Sequence, residues 1–356
     1  MTKIGCTTRV DKSTRDSIFQ PRAFPLLGGS ISGNPPTQAQ YDSLSADFGA
    51  EPNIVVFFKG FSQPQNAATE AFPRGGFDLC KANNAVPLLT LEAFYFASPS
   101  PTWITLEEYQ SGVYQPYIES LADAIIEFGD VVLLRVNHEA NLRRIDANSY
   151  SWAEASFADN DANTPARVVQ LYNLICGDIR AALAAKGHDP KYAQFVWCVN
   201  NENSSDIAGA SAWNTIQAYA PDPQYVNIVS LDGYNFVNIF GFRSLQDIVE
   251  VTATHASSNA YDIINNLFPG RPFLIAETNY KNEDDLDSVT PTLWRDWAVD
   301  GWNYAIAKKI FAVCYFKAVD KNQLIKSDFT TDPSVEVRPN CETTLLGPVV
   351  IKTKCF

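Results

Sequence analysis

Two glutamates stand at the ends of apolar, strand-like runs, where carboxyl groups can do chemistry. Glu139 lies in the segment RVNHEAN directly after the run VVLL, and Glu277 follows the run PFLIA. Cleavage of a glycosidic bond with retention of configuration needs one protonated carboxyl group and one ionised carboxylate. The pair therefore predicts a general acid/base and a nucleophile, provided that the fold brings the two strand ends together.

Other polar residues also follow apolar runs, and together they predict one polar face. Parallel strands surrounded by helices end at a common edge, which is where barrel enzymes carry their active sites. The polar residues at these ends are Glu92, His138, Glu139, Asn200, Asn201, Asp232, Tyr234, Glu277 and Asn279.

Short apolar runs alternate with amphipathic stretches, a pattern typical of strand and helix units around a parallel sheet. The helix candidates include Gln115 to Phe128, Thr164 to Lys186 and Thr292 to Lys308. Eight such units close into a (β/α)8 TIM barrel of the α/β class. The eight predicted strands are Pro25 to Gly29, Ile54 to Lys59, Val86 to Leu91, Val131 to Asn137, Gln194 to Val199, Val226 to Leu231, Pro272 to Ala276 and Ile310 to Phe316.

A length of 356 residues fits one barrel domain with appended ends. We expect an N-terminal extension over residues 1–24, the barrel over residues 25–326 and a C-terminal tail over residues 327–356. The tail is rich in Thr, Pro and β-branched residues, so it is a candidate for capping the barrel or for assembly.

Composition and charge narrow the classes of partner. The chain is 46% hydrophobic and 19% charged, as in an ordered globular protein, and it carries a net charge of −13. Such a charge repels a phosphate backbone or an anionic membrane surface, so neither nucleic acid nor membrane is an expected partner. No segment is expected to span a bilayer, and a neutral or cationic substrate fits better.

The cysteines and histidines give no metal-binding pattern. Seven cysteines leave at least one thiol outside any intramolecular disulfide, no two have C-x-x-C spacing, and the three histidines are scattered. We therefore expect neither a metal nor an organic cofactor. Apolar surroundings predict buried thiols at Cys176, Cys198 and Cys314, whereas any pairing of the terminal Cys6, Cys341 and Cys355 stays open.

Three motifs, in order along the predicted strands, resemble glycoside hydrolase family 26, which is best known for endo-β-1,4-mannanases. Arg135, His138, Glu139 and Asn141 match its Arg-x-x-His-Glu-x-Asn at strand four. Leu231-Asp232-Gly233-Tyr234 is similar to the sequence at its strand six, and Ala276-Glu277 is similar to the end of its strand seven. The resemblance covers residues 25–320 and implies a retaining-glycosidase barrel with Glu139 as acid/base and Glu277 as nucleophile.

The residue types suggest roles for the neighbours of the two glutamates. A guanidinium and a phenol favour an ionised carboxylate, so Arg135 and Tyr234 are expected beside Glu277 as well as near substrate. His138 is expected to position substrate. The alternatives are that Arg135 ties strands together, that Tyr234 is a core residue and that the His138-Glu139 pair is a solvated turn; Asp232 is expected to be a structural hydrogen-bond acceptor.

Tryptophans and arginines in or near the predicted loops complete the set of substrate-binding candidates. Trp197, at the end of strand five, and Trp103 and Trp152, in loops, offer apolar faces to sugar rings, with ordinary packing as the alternative. Arg143 and Arg144 stand where many family members carry an aromatic residue. Two guanidiniums there would favour a polar or anionic polysaccharide.

The sequence thus predicts an endo-acting, retaining hydrolase of β-linked polysaccharide, most similar to enzymes that act on β-1,4-mannan. The alternatives are a hydrolase of the same clan that acts on another β-glucan, on β-xylan or on an envelope polysaccharide, and a non-catalytic carbohydrate-binding or structural barrel of a viral or surface assembly. The N-terminal residues have no apolar signal-peptide core. An extracellular substrate would therefore require virion association, non-classical secretion or a signal that has been removed.

Overall fold

Eight parallel strands close into a barrel in a computed structural model that describes residues 25–31, 35–97, 100–141, 164–201, 215–236, 242–250, 259–281 and 291–316. Each strand pairs with its sequence neighbours around the barrel, and the last pairs with the first. The barrel strands are β1 (Leu26–Ser30), β2 (Ile54–Gly60), β3 (Val86–Glu92), β6 (Val132–Val136), β7 (Ala193–Asn200), β8 (Ile228–Asp232), β10 (Phe273–Thr278) and β12 (Ala312–Tyr315).

All eight predicted strands are present, and the predicted (β/α)8 barrel is confirmed. Two small sheets lie beyond the carboxyl ends of the barrel strands. One is the antiparallel hairpin of β4 (Phe94–Ala97) and β5 (Ser100–Trp103) after β3, and the other pairs β9 (Asn235–Phe236) with β11 (Tyr280–Lys281) after β8 and β10.

In the part of the chain that is described, α-helices separate the barrel strands except between β7 and β8, where two 3-10 helices lie, Ile216–Tyr219 and Pro223–Tyr225. Each of the three predicted helices is present, and the bounds of α4 coincide with the predicted ones. The helices are α1 (Gln38–Phe48), α2 (Gly75–Ala82), α3 (Leu106–Gln110), α4 (Gln115–Phe128), α5 (Pro165–Ala185), α6 (Leu245–Val249), α7 (Ala260–Leu267) and α8 (Pro291–Ala307).

Side chains that point alternately into and out of the barrel divide the core into two layers. The inward-pointing side chains of the strands, which we call inward parity, form a cluster inside the barrel with members such as Leu133, Cys198 and Leu274. The outward-pointing side chains, of outward parity, such as Leu134 and Phe195, pack against the helices. Because successive residues of a strand point to opposite faces, parity decides which strand-end residues reach the barrel interior.

Helix α5 illustrates how sequence and packing can disagree. By length and hydropathy it is long and apolar enough to cross a membrane, contrary to the expectation that no segment would be. In the fold it starts at the side-chain cap of Thr164 and buries one stripe, which includes Leu171, Ile175 and Ile179, in the outer layer of the core. Core helices of globular proteins share these properties.

The predicted buried thiols are confirmed at Cys176, Cys198 and Cys314, and Cys80 is a fourth. The N-terminal extension, the tail over residues 327–356 and Cys6, Cys341 and Cys355 lie outside the described residues, so their predicted roles remain predictions.

Candidate active site

Arg135 lies inside the barrel beneath its carboxyl-end mouth and organises the site. It shares the inward parity of Leu133 on β6 and is fully buried. Its Nη1 donates to both carboxylate oxygens of Asp232 at 2.8 and 3.0 Å, and its Nε donates to Thr90 Oγ1 at 2.9 Å. Its Nη2 donates to Glu277 Oε1. Burial alone would lower the pKa of Arg135, but the carboxylates of Asp232 and Glu277 raise it well above its usual value, so the guanidinium stays charged.

A bulge in β10 brings Glu277 to Arg135. Leu274 and Ala276 point into the barrel, so simple alternation would turn Glu277 outward, on the side of Ile275. The register against β8 shifts between Ile275 and Glu277, which inserts one extra residue into β10. The shift lets Glu277 follow Ala276 inward.

Glu277 is held at both of its carboxylate oxygens. Arg135 occupies Oε1, and Tyr234 Oη donates to Oε2 at 2.5 Å. Burial, reinforced by the charge of Glu277, raises the pKa of Tyr234 well above its usual value, so its hydroxyl keeps its proton and acts as a donor. The predicted contacts of Arg135 and Tyr234 with Glu277 are thus present, and Asp232 is the structural acceptor that was expected.

Glu139 occupies an unusual backbone conformation just past the end of β6. Both Asn137 and Glu139 have positive φ, 46° and 53°, a region that costs a residue other than glycine on the order of 1–3 kcal/mol. The Glu139 amide donates to the Cys198 carbonyl at 3.0 Å, and Asn200 Nδ2 donates to Glu139 Oε1 at 2.6 Å. The turn therefore ties the carboxyl group to the neighbouring strand β7.

A third glutamate, Glu92, ends β3 on the inward parity of Leu88 and Thr90. It is 8% exposed, and its Oε1 lies 3.9 Å from His138 Nδ1. Burial raises the pKa of Glu92 to about 8; Glu277 and Glu139 add to this rise and Arg135 opposes it. Glu92 is therefore mostly a neutral acid near pH 7, next to two other carboxyl groups.

Partly exposed aromatic rings surround the polar centre. Phe58, on β2, packs edge-on against His138 and Phe316 at 5.7 and 5.9 Å between ring centroids, and the guanidinium of Arg135 lies 5.4 Å from its ring. Phe316 in turn meets Tyr234 at 6.1 Å. These rings give the mouth of the barrel apolar surface of the kind that sugar rings stack on.

Two substrate-binding predictions need correction. Trp197 is 3% exposed and has outward parity; its ring packs on Phe268 at 4.9 Å and its Nε1 donates to the Tyr219 carbonyl, so it is a core residue rather than a sugar platform. Arg135 is fully enclosed below Glu277, so it contacts carboxylates instead of substrate.

The remaining candidates fall into two groups. His138 is buried beside Glu92 and Phe58, and Trp103 is partly exposed in the hairpin β4–β5, where it packs on Phe94 and joins a small cluster that contains Ala140. Trp152, Arg143 and Arg144 lie outside the described residues.

One group of side chains has the spacing of a cation site. Ligand atoms of His138, Asp232 and Glu277 lie within 4.8 Å of one another. The guanidinium of Arg135 already contacts both carboxylates of this group. Its positive charge therefore balances the negative charge that a metal ion would otherwise balance.

Sequence reasoning assigned no role to Thr90, Phe58, Glu92 or Asn200, although all four contact site residues. For three of these residues, their position along the strand could have predicted the contact. Thr90, Glu92 and Asn200 continue the inward parity of Leu88 and Cys198 to the ends of β3 and β7.

No protein-family model matches the chain, and no curated protein matches it. Solved structures do match. The catalytic domain of the GH26 endo-β-1,4-mannanase from Bacillus sp. JAMB-750 is 13% identical with a TM-score of 0.57, and the match covers 87% of this chain and 82% of that chain. A GH5-4 broad-specificity endoglucanase from an uncultured bacterium is 15% identical with a TM-score of 0.55, covering 85% and 88%.

The YdhT protein from Bacillus subtilis is 18% identical with a TM-score of 0.51, covering 85% of this chain and 82% of that chain. At these identities the likeness concerns the fold. The fold implied by the resemblance to family 26 is confirmed: the chain is a (β/α)8 barrel of the kind found in these glycoside hydrolases.

Proposed function

We propose that this protein is a retaining, endo-acting glycoside hydrolase of β-linked polysaccharide, with Glu139 as general acid/base and Glu277 as nucleophile. The observation that carries the proposal is the pair of donors on Glu277. Arg135 and Tyr234 hold one carboxylate oxygen each, which fixes the orientation of the group and places a positive charge beside it. A carboxylate held in one orientation at the mouth of the barrel is what a glycosidase nucleophile requires.

The proposed reaction runs in two balanced steps. In the first, Glu277 forms a bond to the anomeric carbon while Glu139 gives its proton to the departing glycosidic oxygen, and the leaving chain is released as an alcohol. In the second, water attacks the anomeric carbon, Glu139 takes a proton from that water, and the bond to Glu277 breaks. The net change is hydrolysis with the β configuration kept.

A β-1,4-mannan-like substrate is the first choice. The motifs around Glu139, Tyr234 and Glu277 resemble those of family 26, and several structural neighbours are described as β-mannanases. The endoglucanase among the neighbours supports a second candidate, a β-glucan. Guanidiniums at Arg143 and Arg144 would favour a polar or anionic polysaccharide over plain mannan. An extracellular site of action and assembly through residues 327–356 belong to the same proposal.

Incubation with mannan, glucomannan, mixed-linkage glucan, xylan and a bacterial envelope polysaccharide, scored for new reducing ends, tests the activity. We expect oligosaccharides of several lengths from at least one glycan, and the β-anomer first by proton NMR. Binding without new reducing ends from any glycan would support the alternative of a non-catalytic barrel. Early appearance of the α-anomer would contradict the double-displacement mechanism.

Two variants test the roles of the glutamates. Glu277→Gln, which is nearly isosteric, should abolish turnover while the protein still folds, as judged by circular dichroism. Glu139→Ala should form the glycosyl-enzyme from an aryl glycoside with a good leaving group but hydrolyse it slowly. Added azide should then attack the anomeric carbon, release the Glu277 carboxylate and yield a β-glycosyl azide. An α-glycosyl azide from Glu139→Ala, or a β-glycosyl azide from Glu277→Gln, would reverse the assignment.

A further inference from the structure

The end of β7 is fixed by a side chain of the turn that carries Glu139. Asn141 Oδ1 accepts from the Asn200 amide at 2.7 Å, and Asn141 Nδ2 donates to the Asn200 carbonyl at 2.8 Å. The side-chain amide of Asn141 thus bonds both the backbone N–H and the backbone C=O of Asn200, as a residue of a neighbouring strand would. It continues the β6–β7 pairing beyond Arg135 and Val196, the last pair in the register between these strands.

The side chain of Asn200 then reaches back to the acid. Its Nδ2 donates to Glu139 Oε1 at 2.6 Å, while the Glu139 amide donates to the Cys198 carbonyl. Asn141, Asn200 and Glu139 are all buried, so water competes little for these bonds. Asn200 is thus held at its backbone by two hydrogen bonds from the side chain of Asn141, and its own side chain holds Glu139 by a third.

We propose that Asn200, itself held by Asn141, is a positioning residue that fixes which oxygen of Glu139 carries the proton. The inference rests on the proposed function. The oxygen that accepts the amide hydrogen bond is the carbonyl oxygen of the protonated acid, so the proton resides on Oε2. Proton transfer to the glycosidic oxygen then starts from one defined atom in one orientation, and the charge left on Glu139 is stabilised by the same amide donor.

The dependence of kcat/KM on the leaving group tests this role, because an activated leaving group needs little help from an acid. The probes are the 2,4-dinitrophenyl and phenyl β-glycosides of the oligosaccharide that the wild-type protein releases. We expect Asn200→Ala to lose about 10-fold or more in kcat/KM with the phenyl glycoside, and much less with the dinitrophenyl glycoside. Asn141→Ala should show the same selective loss to a smaller degree.

Asn201→Ala is the matched control. Asn201 is the next residue and is also buried, and its Nδ2 donates to the Ile248 carbonyl at 2.8 Å, so its removal disturbs a contact with helix α6 rather than the acid. It should lower kcat/KM equally for both glycosides. If Asn200→Ala does not fold, as judged by its melting curve, the nearly isosteric Asn200→Asp serves instead. It replaces the donor with an acceptor and should show the same selective loss.

The outcomes separate the two proposals. A wild-type protein that cleaves no glycan and no aryl glycoside overturns the proposed function, and the positioning role with it. An active wild-type protein whose Asn200 variants lose equally with both leaving groups, or lose nothing, overturns only the positioning role.

Discussion

Arg135 and Glu277 come from strands β6 and β10 and form a buried ion pair inside the barrel, with Nη2 of the guanidinium donating to Glu277 Oε1. The same guanidinium binds Asp232 on β8 and Thr90 on β3. One side chain therefore connects four strands at the base of the site. Because it balances two buried carboxylates, the pair should matter for stability as well as for chemistry.

Replacement of Arg135 should lower both the stability of the protein and its turnover. Arg135→Met leaves the Asp232 and Glu277 carboxyl groups buried without a cationic partner, so the free energy of unfolding at pH 7 should fall by about 3–5 kcal/mol in urea denaturation. The loss should shrink as the pH falls, because protonation removes the unpaired charges. Turnover should fall by about 100-fold or more, since the proposed nucleophile loses its orientation.

Arg180→Met is the control for that substitution. Arg180 lies on α5, where it stacks near Phe195 and donates to the Gln224 carbonyl. We expect a stability loss of about 1 kcal/mol and unchanged kcat. Equal stability losses for the two variants at pH 7 would contradict the central role of Arg135.

Tyr234→Phe should slow the chemical step without harming the fold. The change removes the hydroxyl that donates to Glu277 Oε2 but keeps the ring beside Phe316. A hydrogen bond to a charged group contributes about 1.5–3 kcal/mol, so kcat should fall by about 10- to 100-fold. Tyr304→Phe removes a hydroxyl that donates to Glu250 on the outer surface, and it should leave kcat unchanged. A normal kcat in Tyr234→Phe would remove the tyrosine from the mechanism.

The strands and the polar ends were predictable because their signals are local. Apolar runs predict all eight barrel strands, and the residues that follow them fall at the mouth. Trp197 shows that position near the end of a strand does not by itself predict whether a side chain points into the barrel. It lies near the end of β7, but its parity is opposite to that of Cys198, so it packs outward under Phe268.

Other parts of the site depend on contacts between distant segments. The bulge that turns Glu277 inward comes from the pairing of β10 with β8, and no residue type in the run PFLIAE marks it. The positive φ of Glu139 is held by bonds to Cys198 and Asn200, some sixty residues later in the chain. Such features follow from packing across strands, which a single sequence does not encode locally.

Removal of divalent metal ions should leave the protein unchanged. His138, Asp232 and Glu277 have the spacing of a cation site, but Arg135 already contacts both carboxylates. Dialysis against a chelator should therefore change neither the melting temperature nor turnover. A loss that zinc or calcium restores would contradict this expectation.

Glu92 and Glu250 are acids with opposite environments. Burial raises the pKa of Glu92 to about 8 from a usual value of 4.5, with Glu277 and Glu139 adding to the rise. For Glu250, burial acts in the same direction, but hydrogen bonds from Lys308, Gln246 and Tyr304 lower its pKa below the usual value. The same Glu→Gln change should therefore affect stability in opposite ways at the two positions.

Glu92→Gln should stabilise the protein at neutral and alkaline pH. Between about pH 4.5 and 8 native Glu92 keeps a proton that the unfolded chain has released, so the wild-type free energy of unfolding falls as the pH rises through this window. Glutamine keeps a donor and an acceptor without this penalty. The variant should match the wild type near pH 4 and exceed it by a few kcal/mol near pH 8 in urea denaturation. Glu250→Gln should instead lose stability at pH 7. A Glu92→Gln advantage that is the same at pH 4 and pH 8 would show that the carboxyl group is not held neutral by the fold.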